Sequence, residues 1–210
     1  MKKTLENTDR LQTDRCSRSA LAFVALLSFG CGGAPEKAPA EPKAPVGEIE
    51  RFMPLANDTV YSYETFSEGT GERGVLVLRV RRPRPELAEL DVAGRVQRLT
   101  VSARGLQLVS GGYLLLAPLK EGAEWLGDFG KVRVTAVNRT SEVPAGRFSG
   151  CLETVEEIVS PEVKKRTTTL FCPDVGITER ETEGEAAGQY ALERIVLKTF
   201  GKAFSLENPP

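Results

Sequence analysis

The stretch Cys151-Leu152-Glu153-Thr154-Val155-Glu156-Glu157-Ile158-Val159-Ser160-Pro161-Glu162-Val163-Lys164-Lys165-Arg166-Thr167-Thr168-Thr169-Leu170-Phe171-Cys172 decides the fold. Two runs rich in Val, Ile and Thr, residues that suit a pleated and half-buried surface, flank a centre built for a turn. Proline at the second position of Ser160-Pro161-Glu162-Val163 presets the backbone angle a turn requires there. With those four residues as the loop, Val159 pairs with Lys164 and Glu157 meets Arg166. The same register sets Leu152 against Phe171 and Cys151 against Cys172. Directly opposed residues on antiparallel strands have Cα atoms about 4.5–5.5 Å apart, within the span of a disulfide. The stretch therefore reads as a β-hairpin closed by a cross-strand disulfide.

Outward from this hairpin the same grammar repeats. In Val143-Pro144-Ala145-Gly146, proline again presets the second position and glycine at the fourth accepts a left-handed backbone. Val132, Val134 and Ala136 alternate with Lys131, Arg133 and Thr135, the period of a strand with one face in a core. Further strands are expected over 59–66, 75–81, 95–102, 106–109, 113–117, 132–139, 147–159, 164–172, 177–182 and 189–200. Residues 86–90 and 186–195 are the two segments that can instead form short helices. The regular spacing of turns argues for an antiparallel meander. The fold class is mainly β: a single curved antiparallel sheet, as a meander, half-barrel or open barrel, with little helix.

Hydrophobic residues make up 40% of the 210-residue chain and charged residues 27%, the range of a globular protein with a sizeable core. The net charge of -1 gives no reason to expect nucleic acid as a partner. Histidine is absent, which excludes His-assisted Ser or Cys nucleophiles and the commonest ligand type of transition metals.

The first 30 residues read as a signal peptide. An excess of Lys and Arg precedes the apolar run Ala20–Phe29, too short to span a bilayer stably. Cys31 follows Gly30 directly, as in a bacterial lipobox, and is the expected lipidation site. Residues 31–48, with four prolines among Ala, Glu and Lys, form a tether rather than a core. The β domain is placed at 49–204 and a short tail at 205–210. Gly32 after the cysteine is not the Asp that marks inner-membrane retention in enterobacterial lipoproteins. The expected location is therefore the outer membrane, facing the periplasm, with the membrane as a partner through the lipid anchor.

Four motifs in order carry a family resemblance: Phe52-Met53-Pro54-Leu55 before a strand with Tyr61 and Tyr63; Pro118-Leu119-Lys120-Glu121-Gly122 to Trp125; Val143-Pro144-Ala145-Gly146-Arg147-Phe148-Ser149-Gly150-Cys151; and Phe171-Cys172-Pro173-Asp174-Val175-Gly176. Together they resemble the DUF3108-like (TapB-family) bacterial envelope proteins over about residues 50–201. Asn57-Asp58-Thr59-Val60-Tyr61 departs from the Gly and Trp more usual there. That family looks similar to the LolA/LolB-like half-barrels, which implies a curved sheet around an apolar cavity.

Candidate sites follow. Tyr113, Leu115, Trp125, Phe148 and Phe171 either line a cavity for an apolar ligand or form solid core. Cys151 and Cys172 lack a Cys-x-x-Cys spacing, so a structural bond is expected rather than a redox pair. Arg79-Val80-Arg81-Arg82-Pro83-Arg84 either meets lipid headgroups or anionic glycan, or guards a sheet edge. Glu153, Glu156 and Glu157 offer paired carboxylates, but neighbouring strand residues alternate faces, and Asp174 reads as a turn former. No catalytic residue, metal site or cofactor is expected. The reading is a non-catalytic envelope lipoprotein that binds an apolar ligand or an envelope component. The alternative is a structural or assembly factor acting through protein–protein contacts.

Overall fold

A computed structural model describes residues 47–160, 163–186 and 189–203. The signal segment, Cys31, most of the tether and the tail at 205–210 lie outside the described residues. A short helix, α1 (Glu48–Phe52), leads into twelve strands. These are β1 (Thr59–Ser67), β2 (Arg73–Arg84), β3 (Leu87–Val92), β4 (Arg95–Val101), β5 (Gly105–Leu108) and β6 (Tyr113–Leu116) in the first half. The second half holds β7 (Glu124–Leu126), β8 (Lys131–Val143), β9 (Gly146–Val159), β10 (Val163–Cys172), β11 (Gly176–Ala186) and β12 (Gln189–Lys202).

All twelve strands form one antiparallel sheet in the order β6-β5-β4-β3-β2-β1-β12-β11-β10-β9-β8-β7. Pairing of β1 with β12 joins the two ends of the domain. The sheet edges therefore fall on β6 and β7, which are consecutive in the chain. These edges come together without a backbone ladder. The Trp125 indole N–H donates to the Tyr113 carbonyl at 3.0 Å, and the Ser110 hydroxyl meets Asp128 Oδ1 at 3.1 Å. The result is an up-and-down barrel closed except for a seam stitched by side chains, which leaves little unpaired edge exposed.

The hairpin β9–β10 has the register its turn chemistry dictates: Val159 opposes Lys164, Glu157 opposes Arg166, and Leu152 opposes Phe171. Cys151 and Cys172 are joined by a disulfide, their Cα atoms 4.1 Å apart. Gly146, at φ 138°, closes the turn after Pro144. Asp174, at φ 62°, takes the left-handed position in the β10–β11 turn. Pro83 lacks a ladder donor, and the β2–β3 register slips there, between Arg81 and Arg84.

Two segments that can form helices are strands instead. Of residues 86–90, Leu87–Leu90 fall in β3, where Ala88 and Leu90 are buried and Leu87 and Glu89 less so. Of residues 186–195, Ala186 ends β11 and Gln189–Ile195 fall in β12, paired throughout with β11 and, from Glu193, with β1 as well. In both, hydrogen-bonded neighbours outweigh local helix propensity.

Apolar side chains fill the end of the barrel beside α1. Ile49, Met53 and Leu55 are buried there with Tyr61, Tyr63, Val80, Leu99, Leu106, Leu152 and Leu197. Arg82 pairs with Glu50 at 2.5 Å, and the Asp174 N–H donates to the Arg51 carbonyl at 2.6 Å. These two contacts fasten the helix to the barrel. Turns β1–β2, β3–β4, β5–β6 and β7–β8 ring the opposite end, which stays open.

Candidate functional site

The five aromatic and aliphatic residues singled out in the sequence do not gather around one cavity. Leu115, Trp125 and Phe171 are core residues, at most 7% exposed. Tyr113 and Phe171 line a cavity of about 60 Å³. Phe148 lies elsewhere, its ring edge-on to Phe200, which stacks on Tyr61.

The three glutamates also have separate structural duties. Glu153 accepts a hydrogen bond from the Thr135 hydroxyl at 2.8 Å and faces Arg139 at 3.5 Å. Glu157 pairs with Arg166 at 3.4 Å. The carboxylate of Glu156 accepts the backbone N–H groups of Phe129 and Gly130 at 2.8 and 3.1 Å, closing the β7–β8 turn. In the basic run, Arg82 is committed to α1, and its backbone N–H donates to Asn57 Oδ1.

What the structure does bring together is a polar cluster at the open end. Residues opposed across antiparallel strands share a face. One such row runs Trp125, Val132, Glu156, Thr167, Thr182, Glu193. The next runs Val134, Thr154, Thr169, Arg180, Ile195. Since Trp125, Val132 and Val134 are core residues, both rows face inward, carrying Glu156, Arg180 and four threonines into the barrel. Gln97, Leu108, Tyr113, Asp128, Glu156, Thr154, Thr169 and Arg180 line the small cavity. Above it the mouth widens to a concavity of about 740 Å³, rimmed by Arg95, Arg98, Val109 and Ser110 and sharing Gln97, Leu108, Asp128 and Arg180.

Arg180 is the functional candidate that residue-by-residue reading misses. Its place depends on a bulge: Phe171 opposes Ile177, but the next residue back, Leu170, opposes Glu179, so Thr178 is skipped. Plain alternation from Ile177 puts Glu179, Glu181 and Glu183 inside. The extra residue turns them outward and brings in Arg180 and Thr182. Thr178 itself is fully buried, its hydroxyl 3.3 Å from Cys172 Sγ, so the bulge sits against the disulfide.

Burial pulls the Arg180 pKa down, while Glu156, Asp128 and Glu193 act through space to hold it up. At the closed end, burial pushes the Tyr61 hydroxyl up to about 12 and that of Tyr63 higher still. The Tyr63 hydroxyl donates to the Ile177 carbonyl at 3.2 Å. Among the described residues, no grouping of His, Cys, Asp and Glu is arranged to hold a metal ion.

The molecule is thus a nearly closed twelve-stranded up-and-down barrel, apolar and filled at one end, polar and open at the other. No protein-family model and no curated protein matches the chain. Among solved structures it is similar to a candidate exported protein with a YmcC-like fold from Bacteroides fragilis. The two share 15% identity with a TM-score of 0.44, over 71% of this chain and 98% of that one. It is also similar to a candidate lipoprotein from Parabacteroides distasonis, at 13% identity and a TM-score of 0.44, over 73% of this chain and 100% of that one.

Proposed function

We propose that this protein is a non-catalytic binding domain of the bacterial envelope, a DUF3108-like lipoprotein anchored through Cys31 and facing the periplasm, which engages its ligand or envelope partner at the open mouth of the barrel. The observation that carries this reading is the division of the interior. Apolar side chains fill the α1 end, and the cavity lined by Tyr113, Phe171 and Arg180, about 60 Å³, is far below the roughly 300 Å³ where small-molecule sites begin. The mouth, in contrast, is wide, concave and lined by convergent polar groups on rigid strands. Export is supported by the signal-like segment before Cys31 and by the disulfide, a bond that persists in oxidising compartments. The non-catalytic character is supported by the three neighbouring glutamates, each engaged in a separate structural contact.

Anchoring is tested by Cys31→Ser. Fatty-acid labelling should vanish and a larger precursor accumulate; normal labelling in that variant refutes the anchor. The mouth is tested by in-cell photo-crosslinking from Val109, 80% exposed on its rim, and from Leu126, 68% exposed and adjacent to inward-facing Trp125 on the other face of β7. Discrete adducts from position 109 and none from 126 are expected. The reverse pattern would place the binding surface on the outside of the sheet.

A further inference from the structure

We infer that the mouth is a carboxylate-binding site centred on the Arg180 guanidinium, with Arg95 on its rim. The inference rests on the reading of the mouth as the binding face and names the chemistry received there.

An inward-facing cation is costly unless it is paired, so its partners must be accounted for. Among the described residues, the Arg180 guanidinium makes no ion pair and no side-chain hydrogen bond. The carboxylates nearest in effect are Glu156, Asp128 and Glu193. Glu156 is committed to two backbone N–H groups of the β7–β8 turn, and Asp128 accepts the Ser110 hydroxyl across the seam. Glu193 stands one row away, opposite Thr182. Arg180 therefore keeps its donors available to the cavity it lines. No buried side-chain nitrogen or oxygen among the described residues is left without a partner, so the guanidinium reaches open space rather than being walled in.

The surroundings suit a carboxylate. The guanidinium presents a planar fork that matches two carboxylate oxygens, and Thr154, Thr169 and Gln97 add neutral donors around the same small cavity. The narrowness of that cavity admits a small planar head group, and Leu108, Leu114, Tyr113 and Phe171 offer apolar wall beside it. The two carboxylates that line the same cavity, Glu156 and Asp128, are engaged by the β7–β8 turn N–H groups and by Ser110, while on the rim Arg98 is paired with Glu89 at 3.0 Å and Arg95 makes no ion pair among the described residues.

The test follows the Arg180 Nε–Hε resonance by NMR in the folded wild-type domain. Sodium acetate is the probe, against sodium chloride at matched ionic strength and against inorganic phosphate. Acetate is expected to give a saturable shift with a Kd on the order of millimolar. Followed in the variants through the Gln97 side-chain amide and the Thr169 backbone amide, which line the same cavity, Arg180→Gln should weaken binding by about tenfold or more, Arg180→Lys should restore part of it, and Arg95→Gln should weaken it about two- to threefold. A wild-type resonance that moves no more with acetate than with chloride overturns the proposal without needing any variant. Phosphate binding tighter than acetate overturns the assignment to carboxylates. Either result, obtained while crosslinking from position 109 persists, removes the carboxylate site and leaves the mouth as the binding face.

Discussion

Gly112→Ala tests the seam on which barrel closure depends. A Cβ at position 112 would lie 1.7 Å from the Gly127 carbonyl oxygen and 2.4 Å from its carbon. Ordinary contact begins at 3.4 Å, so the β5–β6 and β7–β8 turns must part by roughly 1–2 Å. The obstacle is backbone, which cannot swing aside as a side chain would. Overpacking of this kind costs about 1–3 kcal/mol. Separation also strains the Trp125–Tyr113 and Ser110–Asp128 hydrogen bonds, each worth about 0.5–1.5 kcal/mol. A total loss of about 2–6 kcal/mol is expected, which for a domain of this size lowers Tm by roughly 5–25 °C. Trp125 is the only tryptophan, 7% exposed, so its fluorescence reports the seam directly and should shift to the red in the variant. Gly69→Ala is the control, because a Cβ there meets nothing within 4 Å, and its stability should stay within about 0.5 kcal/mol of wild type. A Gly112→Ala variant with wild-type Tm and emission would show that the edges do not approach as described.

Two further perturbations probe the closed end and the hairpin. The disulfide joins residues 21 apart, a loop whose closure contributes roughly 3 kcal/mol on the chain-entropy model. Cys151→Ser and Cys172→Ser should therefore destabilise alike, and the double variant should add little; two alkylated thiols in unreduced exported protein would refute the pairing. Tyr61 and Tyr63 carry folded-state pKa values raised above about 10, the unfolded value, with Tyr61 at about 12. Keeping them protonated thus contributes stability that is complete below pH 10 and is lost as pH climbs through 12. Denaturant midpoints measured from pH 9 upward should fall less steeply in a Tyr61→Phe, Tyr63→Phe double variant; an unchanged slope would contradict the burial of these hydroxyls.

What was legible in the sequence was local. Proline in Ser160–Val163 and in Val143–Gly146, together with side-chain alternation, is enough to set the β9–β10 register and so the meeting of Cys151 with Cys172. A turn anchors the count, and parity carries it along a regular strand. The antiparallel meander follows from the same spacing, and the structure bears it out in twelve strands.

Non-local pairing decided the rest. Residues 86–90 and 186–195 have ambiguous propensities, and only ladders to neighbouring strands make strands of Leu87–Leu90 and Gln189–Ile195. The pairing of β1 with β12 joins residues more than a hundred positions apart, and no short pattern records it. Trp125, Phe148 and Phe171 look alike as apolar aromatics, yet the bends of β8 and β9 carry Phe148 to Phe200 and leave the other two in the core. The mouth shows the limit most plainly. Ile177-Thr178-Glu179-Arg180 reads by alternation as a strand with Arg180 facing out. One skipped residue at Thr178, packed against Cys172, reverses that parity and sets a cation inside the barrel. Parity survives only as far as the ladder is regular, and a bulge is fixed by how three strands pack together rather than by the residues of one.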